Sequence, residues 1–426
     1  MHILAIDLGT TTLKGAVLDL SEAKVKQIIR EPMPDKCSHR ETLLYELDPV
    51  TVVASVQCLI AKLRKLQSNA KALLMCSQMH GMILLDTNRN PITPIITWQD
   101  QRARLAHSDS DRNCLEWAEQ RLSAEQRQHL GNEVRPGIPN VTLTWFEPSA
   151  IKGAQVVSLP DYVLSQLSRS EPVIETSLAA AFGLLDLRNY SWHRDVIEAL
   201  DLQNLQFPEL VRWDKPAYNM DGLPCFPPIG DHQAALLGST LQPNELSINI
   251  ATGSQVSMLH PHFESGPFHT RPYFDENFLI TQPDVPAGRS LDTLLGLVTE
   301  LGSAGDPWQK IRQAVDATSE SDLDIDLAFF QSEQRTSGHI AGIREDNLTV
   351  GRLFHAAFQS MSEAYYQQTQ QFPGTVERLV FSGGIAQKQP VLRDLIAKRF
   401  GLPYRVCKHP DDTLLGLMAL SKCLFE

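Results

Sequence analysis

The chain has 426 residues, 42% of them hydrophobic and 21% charged, which is long enough for two globular domains with separate cores. Asp and Glu (50) outnumber Lys and Arg (38), and the formal net charge of −12 argues against general nucleic-acid binding. The N-terminus reaches Asp7 before any apolar stretch that could serve as a signal peptide, and no run approaches the roughly 20 apolar residues that span a bilayer. We therefore predict a cytoplasmic protein, a monomer or homodimer, without nucleic-acid or membrane partners.

A pair of similar strand–turn–strand segments indicates an internal repeat. An apolar strand, residues 3–6, runs into Asp7-Leu8-Gly9-Thr10-Thr11-Thr12 and a second strand. The same layout returns at Asn249-Ile250-Ala251-Thr252-Gly253-Ser254. We call residues 7–12 the first hairpin and residues 249–254 the second hairpin. A long-period repeat at the level of the fold is the simplest account, with chance similarity of two hairpins as the alternative.

The remaining patterns predict an α/β protein. Helical spacing covers 49–66, 192–200, 350–371, 390–400 and 413–424, and strand-like runs cover 73–76, 156–159 and 378–381. Residues 260–295 are rich in Pro, Phe and His and are interpreted as an irregular insertion. We place the domain boundary just before the second hairpin, giving domains 1–243 and 244–426 on either side of a cleft.

The two hairpins are candidate phosphate-binding loops. The chain has no P-loop and no protein-kinase signature, so a bound polyphosphate must be held in another way. Backbone N–H groups and hydroxyls of two Thr/Gly/Ser turns form an anion-binding concavity, and Asp7 can hold Mg²⁺ directly or through water. Either hairpin alone is equally compatible with an ordinary tight turn.

Two polar segments predict a sugar site. Gln78-Met79-His80-Gly81 follows the strand at 73–76, and Trp98-Gln99-Asp100 places an aromatic ring beside an amide and a carboxylate. Sugars are recognised by hydrogen bonds to their hydroxyls and by aromatic faces packed on C–H surfaces. A lone His is more often structural, but the nearby Trp favours binding.

Asp231 is the candidate catalytic base. It follows Gly230 at the start of a small-residue helix, where an Asp is also a favoured helix cap. Phosphoryl transfer to an alcohol commonly uses an Asp that accepts the hydroxyl proton. The turn Ser382-Gly383-Gly384, which leads into Ile385-Ala386, allows close approach of a flat ring, although Gly-Gly turns are common.

These motifs, in this order, resemble the FGGY family of carbohydrate kinases. The resemblance implies two actin/hexokinase-like (ribonuclease H-like) ATPase domains flanking a cleft, the first binding sugar and the second nucleotide, with ATP and Mg²⁺ as cofactors. By position, Asp231 matches the catalytic base and Asp7 the metal-associated carboxylate. The substrate-binding matches are Gln78, Met79, His80, Trp98 and Asp100. The nucleotide-binding matches are Thr10, Thr11, Thr12, Thr252, Gly253, Ser254, Gly383, Gly384 and Ala386.

Within that family the details are most similar to kinases of sedoheptulose, and next to kinases of xylulose. Gln99, where xylulose kinases usually have Asn, and the segment 271–274 lean this way. The resemblance implies ATP-dependent phosphorylation of the terminal hydroxyl of a ketose. The alternatives are a pentulose or polyol kinase and a non-catalytic relative that binds sugar or nucleotide.

Overall fold

The computed structural model describes residues 1–283, 285–302, 305–329, 337–407 and 411–425. The chain forms two compact units: the first contains Met1–Thr240, Pro261–Phe278 and Asp411–Glu426, and the second contains Leu241–His260 and Leu279–Pro410. The first passage between units lies close to the predicted boundary at 243. Two later segments nevertheless return to the first unit, whereas the sequence prediction divides the chain only once. The last of them is a helix that packs on the sheet of the first unit.

The first unit contains the following strands: β1 (His2–Leu8), β2 (Thr12–Asp19), β3 (Lys24–Pro32), β4 (Glu46–Leu47), β5 (Leu73–Ser77), β6 (Met82–Leu85), β7 (Ile95–Ile96), β8 (Gln155–Ser158), β9 (Val173–Glu175), β10 (Leu185–Asp186), β11 (Ser191–Trp192), β12 (Glu209–Val211), β13 (Tyr218–Met220), β14 (Leu223–Cys225) and β15 (Ile229–Gly230). Its helices are α1 (Pro49–Leu66), α2 (Cys114–Arg121), α3 (Ala124–His129), α4 (Pro139–Thr142), α5 (Leu159–Ser168), α6 (Thr176–Ala180), α7 (Arg194–Ala199) and α8 (Asp231–Gly238).

The second unit contains β16 (Glu245–Ile250) and β17 (Ser254–His260). The chain then forms β18 (His269–Pro272) within the first unit and continues with β19 (Phe278–Pro283), α9 (Gly288–Thr299), α10 (Pro307–Asp316), β20 (Asp324–Asp326), β21 (His339–Ala341), α11 (Val350–Thr369), β22 (Arg378–Ser382), α12 (Gly384–Lys388), α13 (Pro390–Phe400) and β23 (Tyr404–Val406). The closing helix α14 (Asp412–Phe425) belongs to the first unit.

The central sheet of the first unit has the order β13-β14-β5-β1-β2-β3, with β15 also paired to β5. Strands β1, β2 and β3 form an antiparallel meander. Strand β5 runs parallel to β1, and β15 runs parallel to β5. Because both faces of β1 are covered, its residues from Ile3 to Leu8 are buried throughout. Apolar side chains of α1 and α5 fill one face of the sheet, and those of α14 fill the other.

The second unit repeats this topology. Its strands follow the order β19-β17-β16-β22-β23, in which β16 pairs antiparallel with β17 and parallel with β22. Thus β16, β17 and β22 correspond to β1, β2 and β5. Asp7 lies opposite Cys76, and Asn249 lies opposite Ser382, so the two hairpins occupy equivalent places in their sheets. The predicted repeat is confirmed.

Much of the described part of the segment 260–295 lies in strands and a helix, which does not fit an irregular insertion. The segment contains β18, β19 and the start of α9, and β19 pairs with β17 in the sheet of the second unit. The interpretation of this segment from composition was therefore wrong, because its Pro and Phe residues include the ends of short strands, such as Pro272 in β18 and Phe278 in β19. Among the described residues, no helix is both long and apolar enough to cross a lipid bilayer.

Close packing of two helices fixes the element that carries Asp231. A Cβ added to Gly416 of α14 would lie 1.8 Å from the carbonyl oxygen of Ala234 in α8, and one added to Gly238 would lie 1.9 Å from that of Asp412. Only glycine permits backbones to approach so closely. The middle and the end of α8 are consequently held against a buried helix that packs on the sheet.

Candidate active site

The first hairpin places Asp7 at the carboxyl end of β1. The side chain is buried, and its Oδ2 atom accepts hydrogen bonds from Lys14 Nζ at 3.1 Å and from Thr413 Oγ1 at 2.7 Å. Lys14 lies directly opposite Asp7 on β2. Thr413 comes from the opposite end of the chain, and sequence reasoning gave no signal for it. Asp7 is therefore an oriented carboxylate next to one fixed positive charge.

Strand register brings the other predicted residues to the same sheet edge. Leu8 lies opposite Ser77, the last residue of β5, and Gly230, the last residue of β15, also lies opposite Ser77. Gln78 and Asp231 are the next residues along their strands. Since β1, β5 and β15 run parallel, Asp7, Gln78 and Asp231 emerge at one edge, which is where open α/β sheets bind ligands.

The carboxyl group of Asp231 has a perturbed acidity. Desolvation raises its pKa from 3.8 to about 7, and the negative charge of Asp7 contributes in the same direction. The backbone N–H of His232 and the charges of Arg271 and Lys14 oppose the shift. A general base works best when its pKa is close to the working pH, so this environment suits Asp231 to accept a proton from a hydroxyl group.

Met79 and His80 follow Gln78 into a buried turn. His80 has a φ of 66°, an uncommon value for a non-glycine residue that often marks a functional constraint. Its Nδ1 atom lies 2.6 Å from the carbonyl oxygen of Ala181. Because a carbonyl only accepts, Nδ1 carries the proton and Nε2 is left as an acceptor. Burial lowers the pKa of His80 to about 3, so the ring is neutral.

Gln78 completes this turn. The side chain is buried, and its Nε2 atom donates to the carbonyl oxygen of Gly9 at 3.4 Å. Its Oε1 atom has no hydrogen-bond partner among the described residues. Buried amide oxygens are normally paired, so this oxygen indicates a partner outside the described residues.

A buried ion-pair cluster beside these residues was missed at the sequence level. Arg271 donates from Nε to Glu133 Oε1 at 2.7 Å, and its Nη1 atom lies 3.2 Å from Nδ1 of His232 and 4.0 Å from the sulfur of Met79. Arg135 Nε lies 3.7 Å from Glu133 Oε2. Glu133, Arg135 and Arg271, here called the Glu133 cluster, thus border both Met79 and the residue after Asp231. Neighbouring residues in the sequence gave no signal that these charges pair, because Arg271 lies 138 positions from Glu133.

The two residues predicted from the second polar segment lie in different environments. Trp98 is 41% exposed, and its Nε1 atom donates to Thr10 Oγ1 of the first hairpin at 3.0 Å. Asp100 is fully buried and accepts from Arg102 Nε and Nη2 and from the backbone N–H of Tyr45. The structure therefore brings Trp98 to the first hairpin and uses the carboxylate of Asp100 inside the protein.

The second hairpin is held by hydrogen bonds at its base, while its turn residues are exposed. Asn249 donates to Ser382 Oγ at 2.8 Å, and Ser254 Oγ donates to the carbonyl oxygen of Asn249 at 2.7 Å. The Tyr365 hydroxyl in turn donates to Ser254 Oγ at 2.7 Å. Thr252 and Gly253 are exposed, as is Thr11 of the first hairpin, while Thr10 and Thr12 are partly exposed.

The glycine turn after β22 combines one constrained and one open position. Gly383 has a φ of 87°, and a Cβ there would lie 2.4 Å from the carbonyl oxygen of Ile250. A Cβ on Gly384 would meet nothing within 4 Å. Ala386 has no exposed surface and packs behind the turn. The open side of this turn is therefore at Gly384.

The residues around Asp7 fit a metal ion that is shared with a ligand. Within the described ranges, no group of three or more His, Cys, Asp or Glu side chains is arranged to hold a metal. Mg²⁺, however, usually keeps several waters and binds through one or two carboxylates together with substrate phosphates. One oriented carboxylate at a sheet edge meets that requirement.

Comparison with known proteins gives the family and the fold. The model of the FGGY family of carbohydrate kinases, N-terminal domain, matches residues 2–221. Xylulose kinase from Rhodospirillum rubrum superposes with a TM-score of 0.88 at 16% identity, covering 99% of this chain and 90% of that one. Glycerol kinase from Plasmodium falciparum, crystallised with ADP, superposes with a TM-score of 0.84 at 15% identity, covering 100% and 90%.

Two curated relatives extend the comparison. Gluconokinase of Bacillus subtilis (strain 168) is 26% identical over 220 residues, 49% of this chain and 40% of the relative. Sedoheptulokinase of Mus musculus is 21% identical over 480 aligned residues, 97% of this chain and 95% of the relative. The chain matches less than half the length of several curated relatives, the gluconokinase among them.

The repeated topology and the structural neighbours define an α/β protein of the actin/hexokinase-like class, as predicted. Since the family model spans more than half of the residues, the chain belongs to the FGGY family of carbohydrate kinases.

Proposed function

We propose that this protein transfers the γ-phosphoryl group of ATP to the terminal hydroxyl of a ketose, with sedoheptulose as the substrate and sedoheptulose 7-phosphate as the product. The observation that carries the proposal is the position of Asp231. It begins α8 at the sheet edge shared with Asp7, and the pKa of its carboxyl group is raised to about 7. The long match to sedoheptulokinase supports the choice of sugar.

In this mechanism Asp231 accepts the proton of the attacking hydroxyl. The neutral His80 ring presents Nε2 as an acceptor to a second sugar hydroxyl, and Gln78 Oε1 does the same for a third. Trp98 offers a partly exposed aromatic face. Asp100 acts indirectly, because its buried pair with Arg102 fixes the segment that carries Trp98.

The nucleotide is assigned to the hairpins and the glycine turn. Thr10, Thr11 and Thr12 and the second-hairpin residues Thr252, Gly253 and Ser254 would contact its phosphates through N–H and hydroxyl groups. Gly383 and Gly384 would accept the adenine ring, with Ala386 packed beneath. Asp7 would hold Mg²⁺, which supplies charge neutralisation on the transferred phosphoryl group. Positioning and electrostatic stabilisation provide most of the rate in such reactions.

A sugar acid is the second candidate substrate. The Glu133 cluster contains two Arg side chains and one carboxylate, and the His80 and His232 rings beside it are neutral because their pKa values are lowered. The cluster therefore carries a net positive charge, which favours a carboxylate on the substrate. The matched gluconokinase is consistent with this reading.

The test is an ADP-release assay with sedoheptulose, xylulose and gluconate, on the wild type and on Asp231→Ala. We expect turnover with one of these substrates and a loss of about 10²–10⁴-fold in kcat in the variant, with sugar affinity by calorimetry largely retained. Asp35→Asn, which changes an exposed carboxylate, is the matched control and should turn over normally. Retained turnover in Asp231→Ala would contradict the assignment of the base.

A further inference from the structure

The short helix α6 contacts β15, the strand that leads into Asp231, and it begins with a carboxylate cap. Glu175, the residue before α6, is buried, and its Oε2 atom accepts a hydrogen bond from the backbone N–H of Ser177 at 2.7 Å. Its Oε1 atom accepts from the hydroxyl of Thr176 at 2.5 Å. Both oxygens of this carboxylate are thus engaged at the first turn of the helix.

The hydroxyl of Ser177 extends this network to the backbone just before Asp231. It donates to Oε2 of Glu175 and accepts the backbone N–H of Gly230 at 3.0 Å. Ser177 is 4% exposed, so these bonds are largely shielded from solvent. The Gly230 N–H only donates, so Ser177 Oγ accepts there and gives its single hydrogen to Glu175.

Among the described strands, β15 is paired on one side. Strand β15 is two residues long and pairs with β5 through Ile229 and Gly230. A strand in the middle of a sheet would have its second row of N–H groups paired with another strand. Here the Ser177 hydroxyl takes that role at the residue where the chain turns from β15 into α8.

The same helix also orients the sugar-site histidine. The Ala181 carbonyl oxygen, directly after α6, accepts the Nδ1 proton of His80 at 2.6 Å, and the Ala181 N–H donates to the Ser177 carbonyl at 3.3 Å. One short helix therefore bonds His80 at its end and Gly230, the residue before Asp231, at its beginning.

We propose that Glu175 and Ser177 are positioning residues that fix the Asp231 carboxylate relative to a sugar held at His80. The inference rests on the proposed function, in which Asp231 is the base. Misplacing a catalytic group by about 1 Å can cost roughly 10²-fold in rate, so a tether one residue away affects turnover more than binding.

The experiment measures kcat and KM for Ser177→Ala with the sugar that the wild type phosphorylates best. We expect kcat to fall about 10–100-fold and the sugar KM to change less than about threefold. The acid limb of the kcat/KM profile should also move, because loosening the Gly230 backbone changes the environment of the Asp231 carboxyl group. Ser177→Thr keeps the hydroxyl and should recover most of the lost kcat.

Ser165→Ala is the matched control. Ser165 is as buried as Ser177, but its hydroxyl donates to the carbonyl oxygen of Tyr162 inside α5. Both alanine variants lose one buried hydroxyl, so kcat per folded molecule separates positioning from stability. Folded fractions are measured by circular dichroism in the assay buffer.

The possible outcomes separate the two proposals. If Ser177→Ala and Ser165→Ala have the same kcat, the positioning inference is overturned, while an inactive Asp231→Ala would still support the base. If Asp231→Ala stays active, the proposed function itself fails. If Ser177→Ala does not fold, Glu175→Gln is tested instead. This variant keeps the shape of the side chain and weakens the hydrogen bond to Ser177. A wild-type kcat in Glu175→Gln would again overturn the inference.

Discussion

Asp231→Asn should make the protein more stable while removing its activity. The pKa of the Asp231 carboxyl group is raised from 3.8 to about 7 in the folded protein. A raised carboxyl pKa means that the folded state resists ionisation, so the charged form destabilises the fold at neutral pH. Asparagine has nearly the same shape but no charge to desolvate beside Asp7.

The magnitude follows from the difference in pKa. Each unit corresponds to about 1.36 kcal/mol, so the full shift amounts to about 4 kcal/mol at most. Asp231 is partly exposed, and solvent screening reduces this to about 1–3 kcal/mol. At about 2–4 °C per kcal/mol for a domain of this size class, the expected gain in Tm at pH 8 is about 2–12 °C.

The gain in stability from Asp231→Asn should also increase as the pH rises. Below about pH 4 both states of the wild type are protonated, so the stability that Asp231 contributes is fully present. As the pH rises towards 7 the unfolded state ionises first, and this stability is lost. About a third of the loss is therefore reached at pH 5 and all of it at pH 8. The advantage of the variant should grow accordingly.

The assay is differential scanning fluorimetry of the wild type and Asp231→Asn at pH 5, 6 and 8 in matched buffers. Asp48→Asn is the control with the opposite sign: Asp48 caps α1 by accepting from the Thr51 N–H at 2.8 Å, and the pKa of its carboxyl group is lowered. That variant should be less stable than the wild type at pH 8, with the gap closing at acid pH. A Tm difference for Asp231→Asn that is absent at pH 8, or equal at all three values, would refute the reasoning.

Two further predictions concern buried polar groups. Glu133→Gln removes the partner of Arg271 and leaves a buried guanidinium uncompensated, so thermal melts should show a loss of about 3–5 kcal/mol in the free energy of unfolding. Adding Arg271→Met should recover most of this loss. No recovery in the double variant would contradict the pairing. Tyr365→Phe removes the hydroxyl that supports Ser254, so steady-state kinetics should show a several-fold higher KM for ATP with the sugar KM unchanged. An unchanged KM for ATP would argue against a role of the second hairpin in nucleotide binding.

Local sequence patterns determined much of the fold. Helices α1 and α13 have the predicted bounds, and α14 extends the prediction by one residue at each end. Helical periodicity and a Pro near the first helical position are local signals, so the sequence alone was enough to place these helices. The repeat of the two hairpins was likewise visible, because each needs the same short polar turn after a buried strand.

Some predicted site residues lie where the sequence suggested, and Asp100 does not. The register of β1, β5 and β15 places Asp7, Gln78 and Asp231 at one sheet edge, as the motif order suggested. Asp100 looked like a sugar ligand beside Trp98, but the structure pairs its carboxylate with Arg102 inside the protein. A side chain next to a binding motif in sequence can point into the core, and only packing decides which way it faces.

By itself the sequence determined the fold class, the order of the motifs and the residue types that suit phosphoryl transfer. The tertiary structure alone decided which distant groups support them: Thr413 on Asp7, Arg271 on Glu133 and Ser177 on Gly230. Such contacts join segments far apart in the chain, and they depend on strand register and helix packing, which no local pattern encodes. The acidity of Asp231 has the same origin, since it results from desolvation and from the nearby charge of Asp7.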